Sequence, residues 1–187
     1  MRKRKKILLT TSRRPTSRIR SFCHDFVGSL PNIVRINRGK LNLDGIIEKA
    51  FEIDADRAII VDRWKGGSGK IHLFAIKETE LNPANPLIYV KGLKLRREFK
   101  MKTKLVKSFI ITMSNTSSRG RKIAESLAHF FDILIFPSKQ AVHNYSASMR
   151  ISTDASGRTT ITFVLLPELT EIGPRLNLAK VMFFDKA

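Results

Sequence analysis

Cysteine is almost missing from this chain: one residue, Cys23, in 187, and only 16 acidic side chains stand against 35 lysines and arginines. A single thiol excludes an internal disulfide framework and points to a reducing compartment, here taken as the cytoplasm. No apolar run approaches the ~20 residues that span a bilayer. A basic helix with a bulky apolar face and a lipid-attachment motif is also absent, so a membrane is not the expected partner. The basic start Met1–Lys6 leads directly into a short strand and lacks the apolar core and cleavage site of a secretory leader.

Catalytic signatures are equally scarce. The run Gly66-Gly67-Ser68-Gly69 invites a phosphate loop, but Trp64 stands where the first glycine is needed and Ile71 where the hydroxyl should follow Lys70. It reads as a turn. His24, His72, His129 and His143 are scattered and have no second cysteine, so no zinc spacing can be built. No nucleophile–base set is visible, and the paired aromatics of an RNA-recognition motif are missing. The expectation is therefore no catalytic residue, no metal and no cofactor. One alternative stays open: Asp54, Asp56 and Asp62 are the acids from which a metal-dependent ribonuclease would have to be made.

What the chain has is charge on a foldable core. The net charge is +19, the pI about 10.6, and 42% of residues are hydrophobic. Such a chain buries a real core and carries a basic surface. The excess repels itself unless a polyanion neutralises it, and nucleic acid is the commonest one.

One pattern occurs twice, 101 residues apart. Ile7–Ser12 is an apolar strand followed by Arg13-Arg14-Pro15-Thr16-Ser17-Arg18-Ile19-Arg20 and an apolar-periodic stretch from Phe22. Phe109–Met113 is followed by Ser114-Asn115-Thr116-Ser117-Ser118-Arg119-Gly120-Arg121 and a stretch from Ile123. Without a gap, Thr11, Ser17, Arg18 and Arg20 fall on Thr112, Ser118, Arg119 and Arg121. Both copies predict strand, Ser/Thr-rich turn, helix. A helix N-terminus already carries partial positive charge, so arginine there costs about 0.3–1 kcal/mol. Broken local rules tend to mark functional sites. Backbone N–H groups and guanidinium groups would converge on one phosphate; the alternative is a repeated fold unit with solvated arginines.

Strands and helices alternate, which means an α/β fold. Helical spacing joins Ile19, Phe22, Cys23, Phe26 and Leu30, and again Leu43, Ile46, Ile47, Ala50 and Phe51. Strands are expected at Lys6–Thr11, Ile33–Asn37, Ala58–Val61, Ile71–Lys77 and from Leu87. Arg38-Gly39-Lys40 is a basic turn. Lys91–Lys107 carries eight basic residues and one acid, Glu98. Its alternation suggests a strand with one basic face, at the seam between the copies; it is either a solvated connector or a nucleic-acid contact. In the second copy the expectations are a strand Ser108–Met113, a helix Ser118–Phe131, a strand Ile133–Phe136 and a hairpin of Arg150–Thr153 with Thr159–Leu165. Lys139–Met149 is ambiguous, and no counterpart of the second helix is visible. Trp64, between Arg63 and Lys65, is either a stacking residue or core. Otherwise recognition is expected through phosphate and RNA shape.

The stretch Thr10-Thr11-Ser12-Arg13-Arg14-Pro15-Thr16-Ser17-Arg18-Ile19-Arg20-Ser21-Phe22 resembles the opening motif of the Brix-domain family, most closely the branch related to the protein of the U3 small nucleolar ribonucleoprotein. Arg38-Gly39-Lys40 follows the second strand as in that family. Asp56–Val61 resembles its third strand, and Glu171–Leu178, with Gly173-Pro174-Arg175, its closing segment. The similarity runs over roughly residues 6–180 and is similar to the minimal archaeal form.

The resemblance implies two related halves with pseudo-two-fold symmetry, each similar to the anticodon-binding domain of class II aminoacyl-tRNA synthetases. The chain then divides into a basic arm (1–6), an N-terminal half (7–95) and a C-terminal half (96–187). It implies a non-catalytic ribosome biogenesis factor that binds ribosomal RNA or its precursor, within a pre-ribosomal particle and beside other assembly proteins. A structural ribosomal protein is the remaining alternative. The expected RNA-binding residues are Arg13, Arg14, Arg18 and Arg20, with Arg38 and Lys40; then Arg119, Arg121 and Lys122; and Arg175 from the closing motif.

Overall fold

The periodicities translate into eleven strands and three α-helices in the computed structural model, which describes residues 5–99, 108–114, 116–137 and 144–184. In chain order these are β1 (Lys6–Thr11), α1 (Ser17–Val27), β2 (Ile33–Arg35), α2 (Leu43–Glu52), β3 (Ala55–Asp62), β4 (Gly69–Lys77) and β5 (Glu80–Lys94). A 3-10 turn, Arg96–Phe99, follows. Then come β6 (Phe109–Ser114), α3 (Ser118–Phe131), β7 (Ile135–Pro137), β8 (Ala147–Thr153), β9 (Thr159–Leu165), β10 (Thr170–Glu171) and β11 (Arg175–Met182). No helix among the described residues is long and apolar enough to cross a membrane.

All strands join one mixed sheet in the order β2-β1-β3-β4-β5-β11-β9-β8-β6-β7, with β10 paired to β9. From the outer edge inward, β1 pairs parallel with β2 and β3, then β3–β4 and β4–β5 are antiparallel. From the other edge, β6 pairs parallel with β7 and β8, then β8–β9 and β9–β11 are antiparallel. The order and sense are the same from either end. The two central strands, β5 and β11, pair antiparallel with each other.

Helices α1 and α3 lie on one face and share one apolar cluster. Phe26 on α1 meets Phe131 on α3 at 6.3 Å between ring centroids and Phe163 on β9 at 5.8 Å. Arg57 on β3 donates to the Phe130 carbonyl near the end of α3, where a cation complements the helix dipole. Each helix thus reaches strands of the opposite half. On the other face α2 packs Ile46 and Ala50 over Leu8, Ala58 and Ile60. In the second half that face holds Ile110, Val164 and Leu166 with Phe136 and Tyr145.

Several boundaries differ from the sequence expectation for identifiable reasons. The ungapped overlay holds for the helices: buried Phe22, Cys23 and Phe26 match buried Ile123, Ala124 and Leu127. It fails for the strands. Ile7 and Leu9 face the large core, as do Phe109 and Ile111, a spacing of 102. A spacing of 101 would put one strand's core face outward, because side chains alternate along a strand. Thr11 therefore corresponds to Met113, not Thr112, and the turn between strand and helix absorbs the difference.

Strand β5 begins at Glu80 rather than near Leu87; Pro83 and Pro86 mask it in the sequence, and its pairing with β4 is irregular between Ile71 and Leu73. Strand β2 ends at Arg35, although the Ile36 N–H still donates to Leu9 at 2.9 Å. Strand β7 starts late because Ile133 closes α3: Asp132 turns left-handed (φ 52°) and the Ile133 N–H donates to Ala128. Leu43 and Phe51, assigned to the apolar stripe of α2, are 54% and 56% exposed; the buried face is only Ile46, Ile47 and Ala50 beside Gly45. The Lys91–Lys107 segment is strand to Lys94 and 3-10 turn to Phe99, and 100–107 lies outside the described residues. So do residues 1–4 of the basic arm, Asn115 and residues 138–143 of the ambiguous stretch.

Candidate nucleic-acid interface

Three loops leave the carboxyl ends of the adjacent parallel strands β1, β2 and β3, the edge at which open α/β sheets place their ligands. After β1 come Ser12, Arg13 and Arg14; after β2, Arg38, Gly39 and Lys40; after β3, Arg63, Trp64 and Lys65. Parallel register brings them side by side. Leu9 pairs with Arg35 and Thr11 with Val61, and the Ser12 N–H donates to the Val61 carbonyl at 2.9 Å. Gly39 takes a positive φ of 51°, which turns the chain sharply between Arg38 and Lys40.

Helix α1 starts at the same edge. Pro15 blocks an earlier start and Thr16 caps it, its hydroxyl accepting from the Ile19 N–H at 3.2 Å. In α3 the cap is Ser117, accepting from Gly120 at 3.1 Å, 101 residues on. No acid occupies the first turn of either helix.

The arginines of these starts have different duties. Arg18 donates to the Leu93 carbonyl on β5 and pairs with Glu98 at 3.1 Å. Glu98 also accepts from the Leu95 N–H, and that bond, more than Arg18, holds its carboxyl below the usual range. Arg119, the matching residue of α3, donates to the Val181 carbonyl on β11 at 3.0 Å. Both therefore fasten a helix start to a central strand, and this explains arginine at a position the helix dipole disfavours. Arg20 donates back to the Pro15 carbonyl at 3.3 Å. Lys122 lies 4.4 Å over the Phe183 ring, and Arg121 is exposed. Arg175 holds Glu171 through two nitrogens, which raises its pKa, and sits 5.6 Å over the Phe99 ring.

By contrast, Arg13, Arg14 and Lys40 are exposed, with no hydrogen bond or ion pair from their side chains among the described residues. Arg38 is only 9% exposed, and its Nε has no partner there. Burial, and secondarily the nearby Arg13 charge, push its pKa down. The edge of the first half is thus a basic crevice with loose cations outside and a buried one within. The second half differs. Its β8–β9 turn closes on itself, with Asp154 accepting from Ser156 and Arg158.

The cleft beside α1 encloses about 760 Å³ and is lined by Thr16, Arg18, Arg63, Trp64, Lys65 and Ser68 among others. Trp64 meets the Tyr89 ring edge-on at 5.3 Å. A side chain on Gly66 or Gly67 would run into the indole, so the glycine turn wraps the tryptophan rather than a phosphate. Trp64, for which the sequence leaves stacking and core packing open, is half-buried. The sequence pattern assigns no role to Ser12 or Arg63 on its own. The signal that identifies them is position: each follows directly on a strand that the pairing makes parallel.

The acids of the nuclease alternative do not converge. Asp54 sits left-handed after α2, Asp56 lies 3.3 Å from Arg57, and Asp62 is at the far end of β3. Asp56 and Asp62 stand six positions apart on β3, roughly 20 Å. No cluster of three or more metal-ligating side chains occurs among the described residues.

No protein-family model matches the chain. Individual relatives do. A probable Brix domain-containing ribosomal biogenesis protein of Pyrococcus horikoshii is 34% identical over 96 residues, 51% of this chain and 42% of that one. Its counterpart in Methanopyrus kandleri is 28% identical over 175 residues, 90% of each chain. The matches to the Pyrococcus, Thermococcus and Aeropyrum relatives span half or less of those proteins. Among solved structures, a probable ribosomal biogenesis protein from Aeropyrum pernix has a TM-score of 0.75 and 27% identity, covering 94% of this chain and 96% of that one. The archaeal Imp4-like protein Mil shares the fold, with a TM-score of 0.64 at 19% identity over 93% and 97%.

Proposed function

We propose that this chain, which is similar in sequence and fold to archaeal Brix-domain ribosomal biogenesis proteins, is one of them and a non-catalytic ribosome biogenesis factor. In this reading it binds ribosomal RNA or its precursor in the cytoplasm, within a pre-ribosomal particle and beside other assembly proteins. It assists folding or processing of that RNA. The observation that carries the reading is the basic crevice at the carboxyl edge of β1, β2 and β3. There Arg13, Arg14 and Lys40 are exposed, with no ion pair from their side chains among the described residues. Such cations neutralise phosphates and set register without reading bases.

The relatives' names describe ribosome biogenesis, and the mirrored strand order supports two related halves about a pseudo-two-fold axis between β5 and β11. Similarity of each half to a synthetase anticodon-binding domain remains what the family resemblance adds. Arg18, Arg20 and Arg175 belong to this surface in a supporting role, since each is already held within the protein. Arg119, Arg121 and Lys122 would form a second site at the opposite edge of the sheet, because β6 runs antiparallel to β1.

Sedimentation of cell extracts tests the reading. The protein should travel with precursor particles and be absent from mature subunits; presence in mature subunits would make it a structural ribosomal protein. Purified protein should bind precursor RNA without cutting it in Mg²⁺. A cleavage rate abolished by Asp54→Asn with Asp56→Asn would establish the ribonuclease instead.

A further inference from the structure

Arg38 is the least expected residue of the crevice. The residue is only 9% exposed, and its Nε is buried with no acceptor among the described residues. No carboxylate among them bonds to it; the charge acting on it is that of Arg13, of the same sign. Proteins normally give a buried guanidinium nitrogen an acceptor or an anion. A second orphan belongs to the same edge: the Ser12 Oγ is buried with no partner among the described residues.

The two stand on adjacent loops. The parallel register of β1 and β2 ends at Leu9 and Arg35, and Ile36 N–H donates to the Leu9 carbonyl. Ser12 and Arg38 each follow three residues beyond that last pair, and Arg13 is near enough for its charge to act on Arg38. Two unmet donors and one flanking cation, held at the carboxyl ends of parallel strands, match the needs of a single tetrahedral anion. The Arg38 fork presents planar N–H donors suited to phosphate oxygens, and the Ser12 hydroxyl supplies another.

We infer that Ser12, Arg13 and Arg38 form a preformed seat for one phosphate group of an unpaired RNA strand. The inference rests on the RNA-binding reading and narrows it. Burial selects the ligand: a phosphate must enter between the two loops to reach Arg38, which a flexible unpaired backbone does more easily than a stiff duplex. Trp64, in the cleft lined by Thr16 and Arg18 at the same edge, offers an aromatic surface for a base of the same strand.

The Arg38 Nε–H resonance, assigned by its loss in Arg38→Lys, reads the seat directly by nitrogen-15 NMR. Inorganic phosphate is added against chloride at constant ionic strength. Next come a 5′-hydroxyl single-stranded RNA, the same strand with a 5′-phosphate, and a perfect RNA duplex. The signal should move and saturate with phosphate and with either single strand, and respond much less to the duplex. Response to the 5′-phosphorylated strand alone would assign the seat to a strand end rather than an internal phosphodiester. Arg38→Lys keeps the charge and loses the fork, and Arg38→Gln loses both. Each should weaken single-strand binding by at least about tenfold while circular dichroism stays unchanged. RNA binding with an unmoved Arg38 signal would overturn the seat and leave the RNA-binding reading standing. A response to inorganic phosphate but to no RNA would overturn the RNA source, and silence toward both with no RNA bound would overturn both readings.

Discussion

Two variants that each remove basic side chains from this edge should behave differently. Arg13→Gln, Arg14→Gln and Lys40→Gln together remove three exposed cations that have no partner among the described residues. Arg18→Gln, only a few positions on, removes a cation already engaged by the Leu93 carbonyl and Glu98. Each neutralised phosphate contributes about 0.7 to the log–log salt slope on a single strand and about 0.9 on a duplex. If all three cations meet phosphates, the triple variant should flatten the slope by roughly 2 to 2.7 units. Between 50 and 200 mM salt its affinity should then fall roughly 20- to 40-fold less than that of the parent. Stability should hold within about 0.5 kcal/mol, as for surface substitutions generally. Arg18→Gln should flatten the slope by less than about one unit, since it removes at most one phosphate contact. It should instead lower Tm by roughly 2–4 °C, the scale of one lost hydrogen bond in a domain of this size. Fluorescence titrations of precursor RNA at four salt concentrations, with thermal melts of the same samples, measure both. An unchanged slope in a folded triple variant, or a larger slope change from Arg18→Gln, would refute the division of labour argued from the geometry.

Three further outcomes follow from burial and packing. Gly67→Ala would drive a methyl group onto the Val90 backbone carbonyl, which cannot step aside, so thermal melts should show a loss of about 1–3 kcal/mol. Cys23 is fully buried and its thiol is pushed up to about 12 by burial, so a thiol reagent at pH 8 should react only after denaturation. His72 has its pKa lowered, first by burial and then by Lys70, so the folded state prefers the neutral ring. Its contribution should be intact above the unfolded value of about 6.5 and be lost as pH falls below it toward the folded pKa. Denaturant midpoints from pH 7.5 to 5 should therefore decline less steeply in His72→Gln than in the parent.

Local pattern was enough for much of this fold. The helix Ser118–Phe131 and the strand Thr159–Leu165 lie where spacing put them, because their periods are written in the apolar residues. The caps Thr16 and Ser117, the turn at Gly66–Gly69 and the excess of charge are also local or compositional properties. The repeat itself was legible, and with it the likeness of the two helix starts. Non-local pairing decided the rest. Pro83 and Pro86 hid half of β5, which exists because β4 and β11 hold it from both sides. The strand offset of 102 against the helix offset of 101 emerges only when side chains are assigned to faces of a common sheet. In sequence Arg13, Arg18 and Arg38 are three equivalent cations. Tertiary structure separates them, because it alone determines which carbonyl or carboxylate comes within reach. Arg18 is met by β5 and Glu98, Arg13 has no partner among the described residues, and Arg38 is buried with its Nε unpaired among them. Composition makes the protein seek a polyanion; strand register determines which of its cations are left to hold one.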